Sequence, residues 1–464
     1  MADLPLSAQA PEVDTAPITG WLLSQALVAA PVERLMRGLL DRLEALDLPI
    51  LRLHVSTTTL HPQFDSFSLN LYREGASEQE HYARGTRNEE PFRTSPLYDF
   101  LERIAQEYGG LREVPHGTGA VSMDRYRLMI GEGLNKFEIL RSFARMGATD
   151  YAITSCAYGD DGSLPRGLET GMLMSWLTDR EGGFSDRDLA ALREVTLAFA
   201  VACRPALLLE IGHTILATYM GRDVGGRVMS GSIVRGDVET LNAAIVIADL
   251  RGFTALADRL PRDDLVHMLN DYLVCMADPV EARGGQVLKF LGDGLLATFS
   301  CEGVADPSPM CRQTIEAALD MQRRVAALNA ARQADGKPVM VLDIALHLGE
   351  VLYGNVGSER RLDFTVIGPA VNEASRMEAM CQTLDEPIVL SRDFVARSSR
   401  ACPPEFRFRS LGEHFLRGVR QAKELFTVDV AGQDRDYTGA EAGAESGAES
   451  GAESGTEPGA TPAA

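Results

Sequence analysis

The chain has 464 residues, 45% of them hydrophobic, and a formal net charge of −21. That length suggests two or three domains with real cores, and the acidic balance argues against nucleic acid or an anionic membrane surface as a bulk partner. Nucleotide binding stays open, because a metal and a few local cations can outweigh the global field.

Residues 1–19 read as a loose, polar tail, and no basic region followed by an apolar core marks a secretory signal. Seven scattered cysteines without a C-x-x-C point to free thiols in a reducing compartment and to no structural zinc. The richest apolar run, Leu197–Leu209, is interrupted by Arg204 and Pro205 and is too short to span a bilayer. The expectation is a soluble, cytoplasmic protein.

From Gly20 to Leu46 apolar residues recur at a nearly helical spacing (Leu22, Leu27, Val32, Leu35, Leu39, Leu43). Pro49–Val55 and Phe67–Tyr72 predict strands, Leu97–Tyr108 and Phe137–Met146 helices. Asp150–Tyr158 and Gly171–Leu177 predict strands, with a turn at 159–162 between them. Gly183-Phe184-Ser185-Asp186-Arg187-Asp188 starts a helix that Ser185 can cap, with Asp188 favourable in its first turn. That helix is expected to run to Cys203, before Arg204-Pro205. The order of elements and the G-F-S-D-x-D phrase make residues 20–205 similar to GAF-type sensory domains, which implies an α/β regulatory domain for a small-molecule or protein signal. His54 and His61 could be ligands, or ordinary structural side chains.

Residues 206–240 read as a join. Leu207 to Tyr219 carries a helix onward and Gly221–Val228 breaks it, so the segment is a transmitter of movement or a passive tether. From residue 431 the chain is a low-complexity G-A-E-S repeat with no bulky apolar residue to bury, and disorder is expected.

Between them lies the chemistry. Ala243-Ala244-Ile245-Val246-Ile247-Ala248-Asp249 is a buried-strand run ending in a carboxylate, followed by Leu250-Arg251-Gly252-Phe253-Thr254. An acidic ligand beside free backbone N–H groups suits a divalent metal carrying a phosphate chain. Val287–Phe299 reads as a β-hairpin about Gly292-Asp293-Gly294, with Lys289 inside its first strand. Two aspartates on neighbouring strands could hold two ions about 3.5–4 Å apart, an arrangement used for phosphoryl displacement. The remaining pattern predicts a helix over 256–282, a helix over 309–332, a strand over 339–346, a hairpin over 349–367 and a helix over 369–380. That is an α+β domain with helices on one sheet face.

The A-D-L-R-G-F-T stretch, the K-F-L-G-D-G-L-L-A-T-F hairpin and the later T-V-I-G-P-A-V-N-E-A-S-R-M-E segment together resemble the catalytic domain of class III nucleotidyl cyclases, over residues 241–430. The resemblance implies a ferredoxin-like core and conversion of a nucleoside triphosphate to a cyclic nucleotide and pyrophosphate. Asp249 and Asp293 match the family's metal-binding aspartates, implying two Mg²⁺ or Mn²⁺ ions per site. Asn372 and Arg376, four apart on one helix face, match the asparagine that orients the ribose and the arginine that offsets transition-state charge. Arg417 stands where the family usually has a lysine on the terminal phosphates. Gly252, Phe253 and Thr254 fall beside the substrate.

Lys289 and Thr365 match the base-selecting positions. A lysine donates to adenine N1 and a threonine hydroxyl accepts from N6, whereas guanine would leave its N1 and N2 donors unpaired against Lys289. An aspartate is frequent at the threonine position in the family, and Asp363, two residues earlier on the same strand face, could assist. The family divides these residues between two subunits, and one full set per chain implies a head-to-tail homodimer with composite sites. The expected function is an adenylate cyclase. The alternatives are a silent cyclase-fold module for signalling or dimerisation and, third, a guanylate cyclase.

Overall fold

The computed structural model describes residues 13–84, 90–108, 121–158 and 171–431. The expected turn at 159–162 and the G-A-E-S repeats lie outside the described residues. The chain divides into two compact units, Met1–Gly231 and Ser232–Ala464.

The first unit opens with two helices, α1 (Ala16–Ala26) and α2 (Val32–Ala45), where the periodicity suggested one. Ala29 at φ 47° and Pro31 separate them, because a proline has no N–H to continue a helical ladder. Strands β1 (Arg52–Thr58), β2 (Phe64–Tyr72) and β3 (Ser77–Ala83) follow, then helices α3 (Glu90–Arg93) and α4 (Pro96–Tyr108), strand β4 (Val121–Tyr126), helix α5 (Glu138–Arg145) and strands β5 (Asp150–Ala157) and β6 (Gly171–Thr178). The sheet is antiparallel in the order β3-β2-β1-β6-β5-β4. Sequence reading missed β3 and β4. The first is a polar edge strand, Ser77-Glu78-Gln79-Glu80-His81, with no apolar alternation to announce it.

Helix α6 (Asp186–Met220) begins at the expected capping box: Asp188 N donates to Ser185 Oγ at 3.2 Å and Ser185 N to Asp188 Oδ2 at 2.9 Å. It does not stop at Cys203. It runs through Pro205, whose flanking turns bury Phe199, Ala202, Cys203 and Leu207, and that burial outweighs the roughly 3 kcal/mol a helical proline costs. The resulting helix is, among the described residues, one that is long and apolar enough to cross a membrane, contrary to the short run read from sequence; half of its apolar stretch is buried inside the structure. Gly221 alone interrupts it before α7 (Arg222–Met229). One sheet face packs Leu53, Val55, Leu69, Met174 and Trp176 against the layer containing Leu22, Leu39 and Phe199. The other meets Phe100, Ile104, Leu140 and Phe143.

The second unit is built on β7 (Val238–Arg251), α8 (Phe253–Ala257), α9 (Arg262–Glu281), β8 (Gln286–Leu291), β9 (Gly294–Ser300), α10 (Ser308–Ala334) and β10 (Val341–Gly357). The four strands lie in the order β10-β7-β9-β8, the ferredoxin-like β-α-β-β-α-β arrangement. Then come β11 (Leu362–Ile367), α11 (Pro369–Glu378), α12 (Met380–Leu384), β12 (Ile388–Ser391), α13 (Arg392–Ser398), β13 (Phe406–His414) and β14 (Lys423–Val430). The helix expected over 256–282 is broken at Pro261, and the strand expected at 339–346 continues without a break into the hairpin, because β10 stays in register with β7 from Val341 to Gly354.

Helices cover both faces of this sheet, not one. Met268, Tyr272, Ile315, Met321 and Phe394 pack with Ile344 and Leu346 on one side. Met377, Cys381 and Leu416 pack with Ala345 on the other. Alternation along β10 explains the split, since Ile344 and Ala345 point to opposite faces. The second face is the one that carries the candidate site.

Candidate active site

Asp249 lies near the end of β7, on the same sheet face as Ala345. The neighbouring hairpin turns through Gly292 and Asp293, with Gly292 at φ 72°, a backbone angle that disfavours any side chain. Gly294 follows, and a Cβ there would meet Ala248 O at 2.4 Å and Asp249 Oδ1 at 2.5 Å. Glycine at 294 therefore lets the Asp249 carboxylate lie against the hairpin tip that carries Asp293. Burial pushes the Asp249 carboxyl up to about 6, and the charges of Asp293 and Asp343 add to the shift. Burial likewise raises Asp293. Neither has a cationic partner among the described residues, so their mutual repulsion is uncompensated and they fit a divalent cation. Among the described residues no group of three or more His, Cys, Asp or Glu side chains could hold a metal unaided. Two carboxylates would need oxygens from a bound ligand to complete a coordination shell.

Three residues that sequence reading passed over belong to this neighbourhood. Asp343 is the direct cross-strand neighbour of Asp249 and is 4% exposed. Arg251 grips it through two hydrogen bonds, Nε to Oδ2 at 2.9 Å and Nη2 to Oδ1 at 2.7 Å. Glu378, at the end of α11, has its carboxyl pushed up to about 7, first by burial and then by the charges of Asp249, Asp343 and Asp293. The signal for Asp343 was available: a carboxylate inside the apolar run Val341–Leu346, the same anomaly that marked Asp249.

Asn372 and Arg376 share α11, as their spacing required. Arg376 reaches the loop between β13 and β14: Nη2 is 3.7 Å from where a Cβ of Gly418 would stand, beside Arg417. Neither arginine has a carboxylate partner among the described residues. Two unpaired guanidinium groups thus flank one loop, suited to an anion with several oxygens. No hydrogen bond or ion pair joins Asn372, Arg376 or Arg417 to Asp249 or Asp293 within the chain.

Lys289, on β8, donates to Asp363 Oδ2 at 2.5 Å. Thr365 stands two residues further along β11 and is 6% exposed, and its Oγ1 has no hydrogen-bond partner. Gly252, at φ 82°, turns the chain from β7 into the five-residue α8. Phe253 packs partly into the core, and Thr254 is exposed.

Residues 238–429 match the model of the adenylate and guanylate cyclase catalytic domain. The adenylate cyclase of Anabaena cylindrica is 31% identical over 198 residues, covering 42% of this chain and 38% of that protein. Adenylate cyclase 2 of Rhizobium meliloti (strain 1021) is 30% identical over 219 residues, 47% of this chain and 57% of that one. The chain thus spans well under two thirds of these relatives' own length. The crystal structure of an adenylyl cyclase from P. aeruginosa is 24% identical and covers 43% of this chain and 98% of that one, with a TM-score of 0.38. Residues 238–429 are a catalytic domain of the class III adenylate and guanylate cyclase family.

Proposed function

We propose that the chain is an adenylate cyclase that converts ATP to 3′,5′-cyclic AMP and pyrophosphate. The ribose 3′-oxygen bonds to the α-phosphorus, the bond from that phosphorus to the bridging oxygen of pyrophosphate breaks, and the hydroxyl proton leaves to solvent. Divalent cations, Mg²⁺ or Mn²⁺ and two per site, would acidify the hydroxyl and neutralise the triphosphate when held by Asp249 and Asp293.

The protein's own groups do the rest. Arg376 spreads a permanent positive charge over the oxygens of the reacting phosphate, and Asn372 orients the ribose. Arg417 binds the terminal phosphates. Lys289 donates to adenine N1 while the Thr365 hydroxyl accepts from N6.

The observation that carries the choice of ATP is the buried, unpartnered Thr365 oxygen on the strand that also holds Lys289 through Asp363. A buried polar atom left unpaired costs about 1–3 kcal/mol, so a base edge that pairs with it is selected. Guanine would present two donors to a lysine.

The site is shared between two chains. In support, no hydrogen bond or ion pair among the described residues joins Asn372, Arg376 or Arg417 to the acidic pair of the same chain. Phe290, Leu291, Leu352, Leu362 and Ile367 also expose apolar surface on β8, β10 and β11. On this reading residues 20–205 are a GAF-like sensor, 206–240 pass its state on, and the enzyme works in the cytoplasm, a setting its seven free thiols suit. The decisive assay is the cyclic nucleotide product formed by the full chain from ATP and from GTP, with Mn²⁺. Cyclic AMP from ATP with little cyclic GMP is expected, and no product from a folded dimer would sink the reading.

A further inference from the structure

The sheet of the first unit holds a buried polar cluster. In the sheet, His54 on β1 is the register partner of Asn70 on β2 and of Ser175 on β6. All three are more than nine-tenths buried. Asn70 Oδ1 accepts a hydrogen bond from Arg52 Nη2 at 2.5 Å and lies 2.8 Å from His54 Nδ1. A donor on Arg52 requires that atom to be the amide oxygen, so His54 Nδ1 must also donate. The other ring nitrogen, Nε2, then carries a lone pair, and it has no partner. Burial, with help from the Arg52 charge, takes the imidazole down to about 3, so Nε2 stays unprotonated.

Arg52 completes the anomaly. It is 7% exposed, its guanidinium lies 5.0 Å from the centre of the Phe143 ring, and no carboxylate among the described residues pairs with it. A buried cation without a counter-charge is costly. Ser175 Oγ is also unpartnered: the Tyr151 hydroxyl faces it without reaching hydrogen-bond geometry.

We infer that this sheet face binds a small protonated oxyanion, with its negative charge against Arg52, its O–H donating to His54 Nε2 and a further oxygen accepting from Ser175 Oγ. A buried water could donate to Nε2 but would leave Arg52 uncompensated. A metal cation on Nε2 would lie beside a like charge. Only a ligand that is both an anion and a donor answers both groups at once. This inference rests on the first unit alone and does not depend on the cyclase reading.

The test titrates the full chain calorimetrically with sodium phosphate and, separately, sodium sulfate, at mildly acidic pH and matched ionic strength. Phosphate then keeps an O–H, and sulfate has none. Phosphate is expected to fill one site per chain about tenfold or more tightly than sulfate. Arg52→Gln should lose phosphate binding, and His54→Phe should reduce phosphate to the level of sulfate. Arg417→Ala should leave phosphate binding in place, which separates this site from the nucleotide site. Equal binding of both anions, no binding, or loss with Arg417→Ala would overturn the inference. So would unchanged phosphate binding in folded Arg52→Gln and His54→Phe chains. If those variants do not fold, ¹⁵N spectra of the wild-type histidines decide: the unprotonated Nε2 of one buried ring should shift with phosphate and not with sulfate, and no shift refutes the site.

Discussion

Lys289 is held by Asp363 at 2.5 Å, and Asp363 stands two positions before Thr365 on the same strand, so one carboxylate aims the cation beside the buried hydroxyl. Asp363→Asn should therefore raise the KM for ATP severalfold while kcat changes little, because only the placement of Lys289 is lost. Thr365→Val removes the acceptor without much change of shape. It should lower kcat/KM for ATP by roughly 10- to 100-fold and leave the small activity on GTP unchanged. Steady-state kinetics on both nucleotides checks both variants, and an equal loss on ATP and GTP would argue against a role in base choice.

The two unpaired arginines predict distinct kinetic faults. Arg376→Ala should lower kcat by about 10²–10³-fold with little change in KM, since its charge matters most in the transition state. Arg417→Ala should mainly raise KM, because the terminal phosphates are bound before and during reaction alike. Arg376→Lys should recover little, as an ammonium cannot span several oxygens. If Arg376→Ala affects only KM, its assigned role is wrong.

Asp249→Ala and Asn372→Ala chains should each be inactive. Mixed in equal amounts, they should recover about a quarter of wild-type activity, since half of the dimers are mixed and each holds one intact site. No recovery in mixed dimers demonstrated by mass spectrometry would show that the site is not shared.

The acidic cluster gives the second unit a defined pH dependence. Asp249 is raised to about 6 and Glu378 to about 7, so the folded state binds more protons than the unfolded state, where such groups titrate near 4. Stability is therefore highest below about pH 4 for these groups and is lost as pH rises through about 6–7. With a chelator present, Asp249→Asn should flatten that slope. At neutral pH it should raise stability by about 1 kcal/mol, discounted for solvent screening, or a few degrees in Tm. Circular dichroism melts across pH check this, and a destabilised Asp249→Asn would contradict the repulsion described.

His54 imposes the opposite trend on the first unit. Its folded pKa of about 3 lies below the ordinary histidine value, so the unfolded state binds the extra proton and stability is lost as pH falls from about 6.5 toward 3. Both tryptophans lie in the first unit, Trp176 buried in its core and Trp21 packed against it, so their fluorescence reports this unit separately. His54→Gln should lessen the acid sensitivity seen in that signal; an unchanged acid profile would remove His54 as its cause.

Local chemistry made much of this legible in the chain itself. Asp249 and Asp293 stood out because a carboxylate closing a run of buried-strand residues, or tipping a Gly-Asp-Gly hairpin, violates the apolar pattern around it. Asn372 and Arg376 were marked by the resemblance to the cyclase family, and their four-residue spacing put them on one helix face; the Ser185–Asp188 box followed from the preference of hydroxyl and carboxylate for orphan N–H groups. Other features depended on distant residues. Whether α6 stops at Pro205 turned on burial of the turns around it, and helices took both faces of the second sheet because β10 presents apolar residues on both. Asp343 became the neighbour of Asp249 only through the β7–β10 register, and Arg376 met the loop of Arg417 only through the packing of α11 on that sheet. Glu378 acquired its raised pKa from burial and from Asp249, Asp343 and Asp293, and His54 its stranded lone pair from Asn70 on the neighbouring strand, since burial and charge act through space. By itself the sequence determined which residues could do chemistry; the tertiary structure decided which of them meet, because pairing and desolvation exist only once the strands have found their register.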